Sequence, residues 1–489
     1  MKKNEIYRLF VTGMTSEGFG VARENGLVIF IQGAIAGEMV EAKILKVKKK
    51  IAYAKMETLL SPSPSRMEPP CAIFRQCGGC SYLHMSYEKQ LEIKRQKVSD
   101  CLKRIGKMDL PVEDTLPSPE PFHYRNKVLI PVGTNPNGYI AAGFYAPRSH
   151  RIQPADRCLI QDKRAGEVIT CIKDWMIEFQ IPPYEEKTHT GLIRHIYFRA
   201  GMSTGQIMTG VVANADELPH GGILAQRLLR IDGVTSVIHN VNRAKTNVIL
   251  GEKINVLAGL PYIEDQILDT RFQIGPLSFY QVNPYQTPRL YQTVLKALNL
   301  KSDDVLFDIY CGIGTIGLCA AKRIKRLIGI EIVPEAIEYA KQNARLNNIQ
   351  NACFHVGKAE KKIFELIEQG EIPTAAVLDP PRAGCDQKLL DAIIRLAPAK
   401  LCYVSCDPAT LARDLNYLAE HSDYQIKSVV PVDMFPQTPH VETVCLLSKL
   451  RADQHIEVEL QMGELDLTAA ESKIIYTCNT AKSSDTKII

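Results

Sequence analysis

No stretch of this sequence approaches the ~20 consecutive apolar residues that a membrane-spanning helix requires, and the opening MKKNEIYRLFVTGMTSEG has neither the apolar core nor the cleavage site of an export signal. A membrane partner is therefore excluded at this stage and a cytoplasmic location is expected. Glycine and proline have no excess, at 59 of 489 residues, and charged residues make up 23%. Neither collagen-like repetition nor the charge-rich, apolar-poor composition of a disordered chain is present. A large charge of one sign is missing too, the formal net charge being +5. What is present is 45% apolar residues over 489 positions, roughly three times the usual ~150-residue domain, so two or three globular domains with real cores are expected.

The small net charge is unevenly placed. Residues 1–60 carry ten Lys/Arg against six Asp/Glu, including Lys46, Lys48, Lys49 and Lys50, whereas residues 451–489 carry four against seven. A basic end suits a polyanion such as nucleic acid, although a run of lysines is more often only a solvated face. Fourteen cysteines in a chain without an export signal are expected to be mostly reduced, so clustered ones argue for metal binding or catalysis before disulfides.

Residues 5–58 alternate short β-rich runs with turns around Gly18 and Gly20, a pattern that predicts a small antiparallel barrel. The Ser/Pro-rich LLSPSPSRMEPP at 59–70 ends it. A cysteine-rich stretch at 71–80 and a charged helix from Tyr87 to Ile105 follow, and then a strand-rich region in which HIYFRAG, GQIMTGVVA and SVIHNVN predict an antiparallel sheet. From Asp303 the pattern becomes alternating buried strands (VLFDIY, RLIGIEI, AAVLDPP, KLCYVSC) and amphipathic helices, the mark of a doubly wound, Rossmann-like α/β domain. The expected domains are thus 1–60, a β-barrel; 61–274, a central β-rich domain; 275–450, the α/β domain; and 451–489, an acidic extension with no assignable role.

Three strand ends in the α/β domain carry chemistry. In VLFDIYCGIGTIGLCAA, Gly312 and Gly314 lie where a buried strand meets a helix, and Glu331 ends the next strand, where a carboxylate can accept from ribose hydroxyls. The third glycine of a dinucleotide fingerprint is displaced to Gly317, and the pattern instead resembles the S-adenosylmethionine (SAM) site of class I methyltransferases. In AAVLDPPRAGC, two prolines stiffen the loop that holds Asp379. In YVSCDPATLARD, Cys406 precedes a helix starting at about Pro408, which is expected to favour the thiolate and make a nucleophile. Alone, each could be a structural turn or a packing cysteine.

Together, QVNP at 281–284, DIYCGIG at 308–314, DPPR at 379–382, SCDPATLARD at 405–414 and HVETV at 440–444 resemble the RNA uracil-5-methyltransferase family over essentially residues 1–450. The resemblance implies that Gln281, Tyr310, Glu331 and Asp379 bind SAM, that Cys406 is the nucleophile, and that Glu442 is the base that removes the C5 proton. The chemistry needs such residues. Uracil C5 is a poor nucleophile until a thiolate adds to C6, and a base must later remove the C5 proton before the thiolate can leave. Without the resemblance, Glu442 would read as a surface or salt-bridged carboxylate at a strand start.

Cys71, Cys77 and Cys80 form C-x5-C-x2-C, with Cys158 as a fourth thiolate from afar. The spacing admits either tetrahedral zinc or an iron-sulfur cluster. The family resemblance implies a 4Fe-4S cluster, since one branch carries this pattern, with a structural or RNA-shaping role. Residues 5–58 resemble the TRAM domain, an RNA-binding module, with Lys46, Lys48, Lys49, Lys50 and Tyr53 as candidate contacts. The combination of features is similar to the branch acting on 23S ribosomal RNA, with one or two target uridines. tRNA is the alternative substrate, and a non-catalytic Fe-S RNA-binding protein is the alternative from another class. A monomer is the working expectation.

Overall fold

In a computed structural model, which describes residues 1–449, the alternation of the first sixty positions becomes six strands: Ile6–Phe10, Gly13–Met14, Gly20–Glu24, Leu27–Gln32, Met39–Val47 and Ile51–Ser61. Every second residue turns inward, so Leu9, Ile29, Ile31, Val40 and Ile44 build a small core of their own. One pairing departs from the antiparallel expectation. Leu27–Gln32 runs parallel to Ile51–Ser61, because the intervening strand Met39–Val47 reverses the chain once more. The acidic segment 451–489 lies outside the described residues.

The central sheet has seven strands, in the spatial order 253–259, 234–241, 207–213, 193–200, 127–134, 140–145 and 152–154. The sequence reading of an antiparallel sheet is corrected here too. Ile207–Ala213 and Val234–Val241 are parallel, since the helix Gly221–Leu228 carries the chain back across the sheet between them. That helix and Ala165–Glu178 cover one face, burying Trp175, Phe198, Val211 and Val237. The other face sends Tyr197, Met208 and Ile238 into the core of the α/β domain. There Tyr197 donates to the Pro276 carbonyl at 2.9 Å, and buried Arg199 donates to the Gly275 and Ser278 carbonyls at 2.6 and 2.7 Å.

The α/β sheet also has seven strands, in the order 352–356, 326–331, 305–309, 375–378, 400–405, 442–448 and 425–432. The first five are mutually parallel; Glu442–Ser448 runs antiparallel to them, and the edge strand Gln425–Val432, antiparallel to Glu442–Ser448, returns to their direction. Strand order reverses on either side of Val305–Ile309. The carboxyl ends of the strands next to that reversal are where open α/β sheets bind ligands. Two segments earlier in the chain join this domain. The hairpin 263–274 is fixed by Gln273 N donating to Asn343 Oδ1 at 2.7 Å. The helix Tyr87–Arg104, capped by Ser86, lays Val98 and Leu102 against Leu411 and Leu415. Its buried face also contains the polar Gln90 and Lys94.

Candidate active site

The strand Val305–Ile309 ends in a turn of three left-handed residues, Tyr310, Gly312 and Gly314, with φ of +69°, +55° and +85°. The turn lifts the backbone off the sheet and starts the helix Thr315–Ala321. A Cβ on Gly317 would lie 2.7 Å from Asp308 Oδ2, so only glycine fits; its N–H instead donates to that oxygen at 2.8 Å. The other carboxylate oxygen, Asp308 Oδ1, is buried with no partner among the described residues. Burial pushes Asp308 up to about 7, with Glu331 adding to the rise and the Gly317 N–H opposing it. Beside it, Gly312 faces open space. Glu331 closes the next strand and accepts from the N–H groups of Gly312, Ile332 and Val333 at 3.2, 2.8 and 3.0 Å. An unpaired buried carboxylate oxygen and an open backbone cradle fit a ligand rich in polar groups at this strand end. Asp308 was missed as a site residue in the sequence; an acid inside the otherwise apolar VLFDI run was the available signal.

The second half of the site is set by strand register. Lys400–Ser405 pairs antiparallel with Glu442–Ser448, Ser405 opposite Thr443, so Cys406 follows at the position facing Glu442. Glu442 is not a surface carboxylate: it is 4% exposed, and its Oε2 has no partner among the described residues. Burial, then Asp379, push it up to about 8, against the pull of Arg382. Asp379, at the end of the adjoining strand, is pushed up to about 7 by desolvation and by Asp308.

Cys406 corrects an expectation. Burial, then Glu442, raise its thiol to about 11, with Asp379 adding and Arg382 opposing, so the free thiolate is disfavoured at rest. The helix Pro408–His421 does begin two residues on, but its first free N–H groups, Ala409 and Thr410, donate to Asp407 Oδ1 at 2.9 and 3.1 Å. The capping carboxylate occupies the positive end of the helix that the thiolate would otherwise use. Exposed Arg382 thereby becomes the cation acting on both Cys406 and Glu442, a role not read from the DPPR motif. Its loop is fastened to the same helix. Buried Asp414 accepts from Cys385 N–H and Tyr403 O–H at 2.8 and 2.7 Å, and Arg413 donates to the Ala383 carbonyl at 3.0 Å.

Cys406, Glu442, Asp379 and Arg382 are thus brought into electrostatic range of one another, with Asp308 and Glu331 next along the sheet edge. Gln281 and Tyr310 have no hydrogen bond or ion pair to that group among the described residues. Gln281 is buried, its carbonyl accepting from Asn126 Nδ2 at 3.1 Å, and Tyr310, half-buried, packs against the core of the α/β domain. Two residues after Gln281, buried Asn283 donates to the Ser118 hydroxyl and the Met434 carbonyl at 3.1 and 3.2 Å.

Comparison with known proteins matches this architecture. The model described as tRNA (Uracil-5-)-methyltransferase covers residues 224–450, and the TRAM domain covers 2–56. A protein of Clostridium tetani named as an uncharacterized RNA methyltransferase is 49% identical over 92% of this chain and 97% of its own length. This chain belongs to the RNA uracil-5-methyltransferase family. A second relative of that description, from Halalkalibacterium halodurans, is 46% identical over 91% of this chain and 98% of its own. The Pyrococcus abyssi tRNA (uracil-54, C5)-methyltransferase, solved with S-adenosyl-L-homocysteine, superposes with a TM-score of 0.72 at 30% identity, covering 90% of this chain and 99% of that one. The methyltransferase is accordingly a SAM-dependent enzyme acting on RNA, with a class I methyltransferase fold and an N-terminal TRAM domain.

Elsewhere in this methyltransferase, Cys71, Cys77, Cys80 and Cys158 line one cavity of about 440 Å³, together with Arg125 and Lys127. Burial raises the Cys80 thiol strongly, and Cys158, Cys77 and Cys71 each raise it further. Among the described residues, no three His, Cys, Asp or Glu side chains are grouped as ligands of a single metal ion. In the TRAM domain, Lys46 at the end of the strand Met39–Val47 and Lys48, Lys49 and Lys50 in the turn that follows it are exposed. The Lys48 ammonium lies 5.7 Å over the Tyr53 ring, which is itself 5.7 Å from Phe30. No helix among the described residues is long and apolar enough to cross a membrane.

Proposed function

We propose that this enzyme methylates C5 of uracil in 23S ribosomal RNA through a covalent adduct between Cys406 and C6. The observation that carries the reading is the strand register that sets a half-buried thiol opposite a buried, unpaired carboxylate. Two neighbouring anions in a site shielded from water are costly, so the reactive thiolate is the minority state in which Glu442, the group of lower pKa, keeps its proton and half-buried Cys406 has released its own to solvent, with Arg382 offsetting the thiolate charge. Once Sγ is bonded to C6 the thiolate charge is gone. Glu442 can then release its own proton to solvent, take the C5 proton as a carboxylate and allow elimination of the thiolate. SAM, when bound, supplies the electrophilic methyl that C5 takes up, and Asp308, Glu331, Asp379, Tyr310, Gln281 and the open backbone at Gly312 are the groups that would hold it. The target uridine must leave its stack to present C6, so a loop or a flipped base is the expected RNA context.

The four clustered cysteines are read as ligands of a 4Fe-4S cluster. Their convergence on one cavity supports this, and a four-iron cluster takes one thiolate per iron without requiring the sulfurs to meet at a point. Cys77→Ser is expected to lower iron content, measured by metal analysis of anaerobically purified protein; unchanged iron would reject the ligand set. The TRAM domain, this cluster and the methyltransferase domain in one chain favour ribosomal RNA. The likeness to a Pyrococcus abyssi enzyme named for tRNA makes tRNA the second reading. Incubation with methyl-labelled SAM and unmodified 23S or tRNA transcripts, followed by nucleoside mass spectrometry, separates them. Label in 23S RNA supports the proposal, label in tRNA alone replaces it with the second reading, and label in neither points to an RNA-binding protein without this activity.

A further inference from the structure

The loop that delivers Glu442 is held by buried polar groups that the reaction does not use. Between Val432 and Glu442 the chain has no regular secondary structure, yet Asp433, Gln437 and Thr438 are buried. At its centre Gln437 adopts a left-handed backbone, φ +68°, which a non-glycine residue keeps only where its surroundings dictate it. What dictates it is a reciprocal amide pair with Gln90 on the helix Tyr87–Arg104. Gln90 Nε2 donates to Gln437 Oε1 at 2.9 Å, and Gln437 N–H donates to Gln90 Oε1 at 3.0 Å. The Gln437 carbonyl also accepts from the N–H groups of Ser81 and Tyr82 at 3.0 and 3.1 Å, in the segment directly after Cys80. Around this point Tyr124 donates to the Pro436 carbonyl at 2.9 Å, and Lys97 to the Pro439 carbonyl at 3.0 Å.

We infer that the Gln90–Gln437 pair is a latch that positions Glu442 for removal of the C5 proton. The inference rests on the proposed function and adds two positioning residues to it. Gln437 lies five positions before Glu442, and Gln90 is 1% exposed, so helix and loop cannot shift apart without leaving buried amide groups unpaired. A base misplaced by about 1 Å loses efficiency of up to roughly a hundredfold while groups anchored elsewhere keep theirs. Cys406 and the SAM-side residues sit on other strand ends, so loosening the latch slows the step that needs Glu442 and spares the steps before it.

The test uses the full-length protein with the variants Gln437→Gly, which keeps the left-handed turn but drops the amide, and Gln90→Met, which removes the partner from the helix side. Wild type and both variants are mixed with SAM and a 23S rRNA transcript, or a tRNA transcript if that is what wild type methylates. Covalent protein–RNA adduct is read on denaturing gels, S-adenosylhomocysteine binding by calorimetry, and stability by thermal melting. The latch predicts a roughly 10- to 100-fold slower turnover with adduct accumulating and with cofactor binding and melting near wild type. Wild-type turnover in both variants would overturn it. So would a joint loss of melting temperature, cofactor binding and adduct, which marks a merely structural pair. If wild type itself formed neither adduct nor 5-methyluridine on either RNA, the proposed function would fail and the latch with it.

Discussion

At the scale of single residues, the site is an acidic row relieved by one arginine. Cys406→Ala is expected to abolish covalent trapping by 5-fluorouridine-containing RNA while leaving S-adenosylhomocysteine binding close to wild type; persistent trapping would remove Cys406 as nucleophile. Glu442→Gln is expected to form the adduct and fail to resolve it, so normal turnover in that variant would exclude the base. The raised thiol makes a further prediction. Iodoacetamide alkylation of Cys406 in the free enzyme should rise with pH toward about 11, and Arg382→Gln should move the curve upward, because the guanidinium opposes the rise. An unmoved curve would mean that Arg382 does not act on the thiol. Cys406, Asp379 and Glu442 were legible in the sequence because their motifs quote them. The ionisation of Cys406 was not, since the neighbouring Asp407 cap and the Glu442 that strand pairing brings opposite the thiol are what decide it.

Among the elements, the helix Tyr87–Arg104 carries more than its amphipathic pattern suggests. Lys94 is fully buried, its Nζ 2.5 Å from Asp433 Oδ1 and 3.0 Å from the Phe435 carbonyl, while Tyr87 donates to Asp433 Oδ2 at 2.9 Å. Removing one member strands the other as a buried charge, which costs about 3–5 kcal/mol, whereas replacing both by apolar groups is often neutral. Lys94→Met should therefore lower unfolding free energy by about that amount in urea titrations, and Lys94→Met with Asp433→Leu should recover much of it. Equal losses in the single and double variants would show that packing rather than charge is at stake. The helix itself was readable almost to the residue, expected from Tyr87 to Ile105 and found from Tyr87 to Arg104. Its partner was not, because Lys94 and Asp433 are 339 residues apart and nothing local links them.

For the whole molecule, the three acids whose carboxyls are raised chiefly by desolvation predict how stability follows pH. Asp308 and Asp379 are raised from 3.8 to about 7, and Glu442 from 4.5 to about 8. The folded state therefore holds protons that the unfolded state has released, and stability contributed by these groups is complete below about pH 4 and lost as pH rises through 7 to 8. Melting temperature of the ligand-free protein should fall between pH 5 and pH 8.5, and Glu442→Gln should flatten the upper part of that fall. A slope that Glu442→Gln leaves untouched would contradict the raised value.

The sequence by itself determined the β-rich N-terminal module, the α/β succession after residue 303 and the strand-end motifs, because these rest on local periodicity and on residue types whose chemistry does not depend on distant partners. Tertiary structure alone decided the parallel pairings within the two β-rich sheets, the placing of Glu442 opposite Cys406, the orphaned oxygen of Asp308 and the buried contacts that hold the 433–440 loop to a helix more than 330 residues earlier. Each of these depends on which segments share a boundary after the chain has folded, and burial at that boundary sets both the pairing of polar groups and the charge they carry.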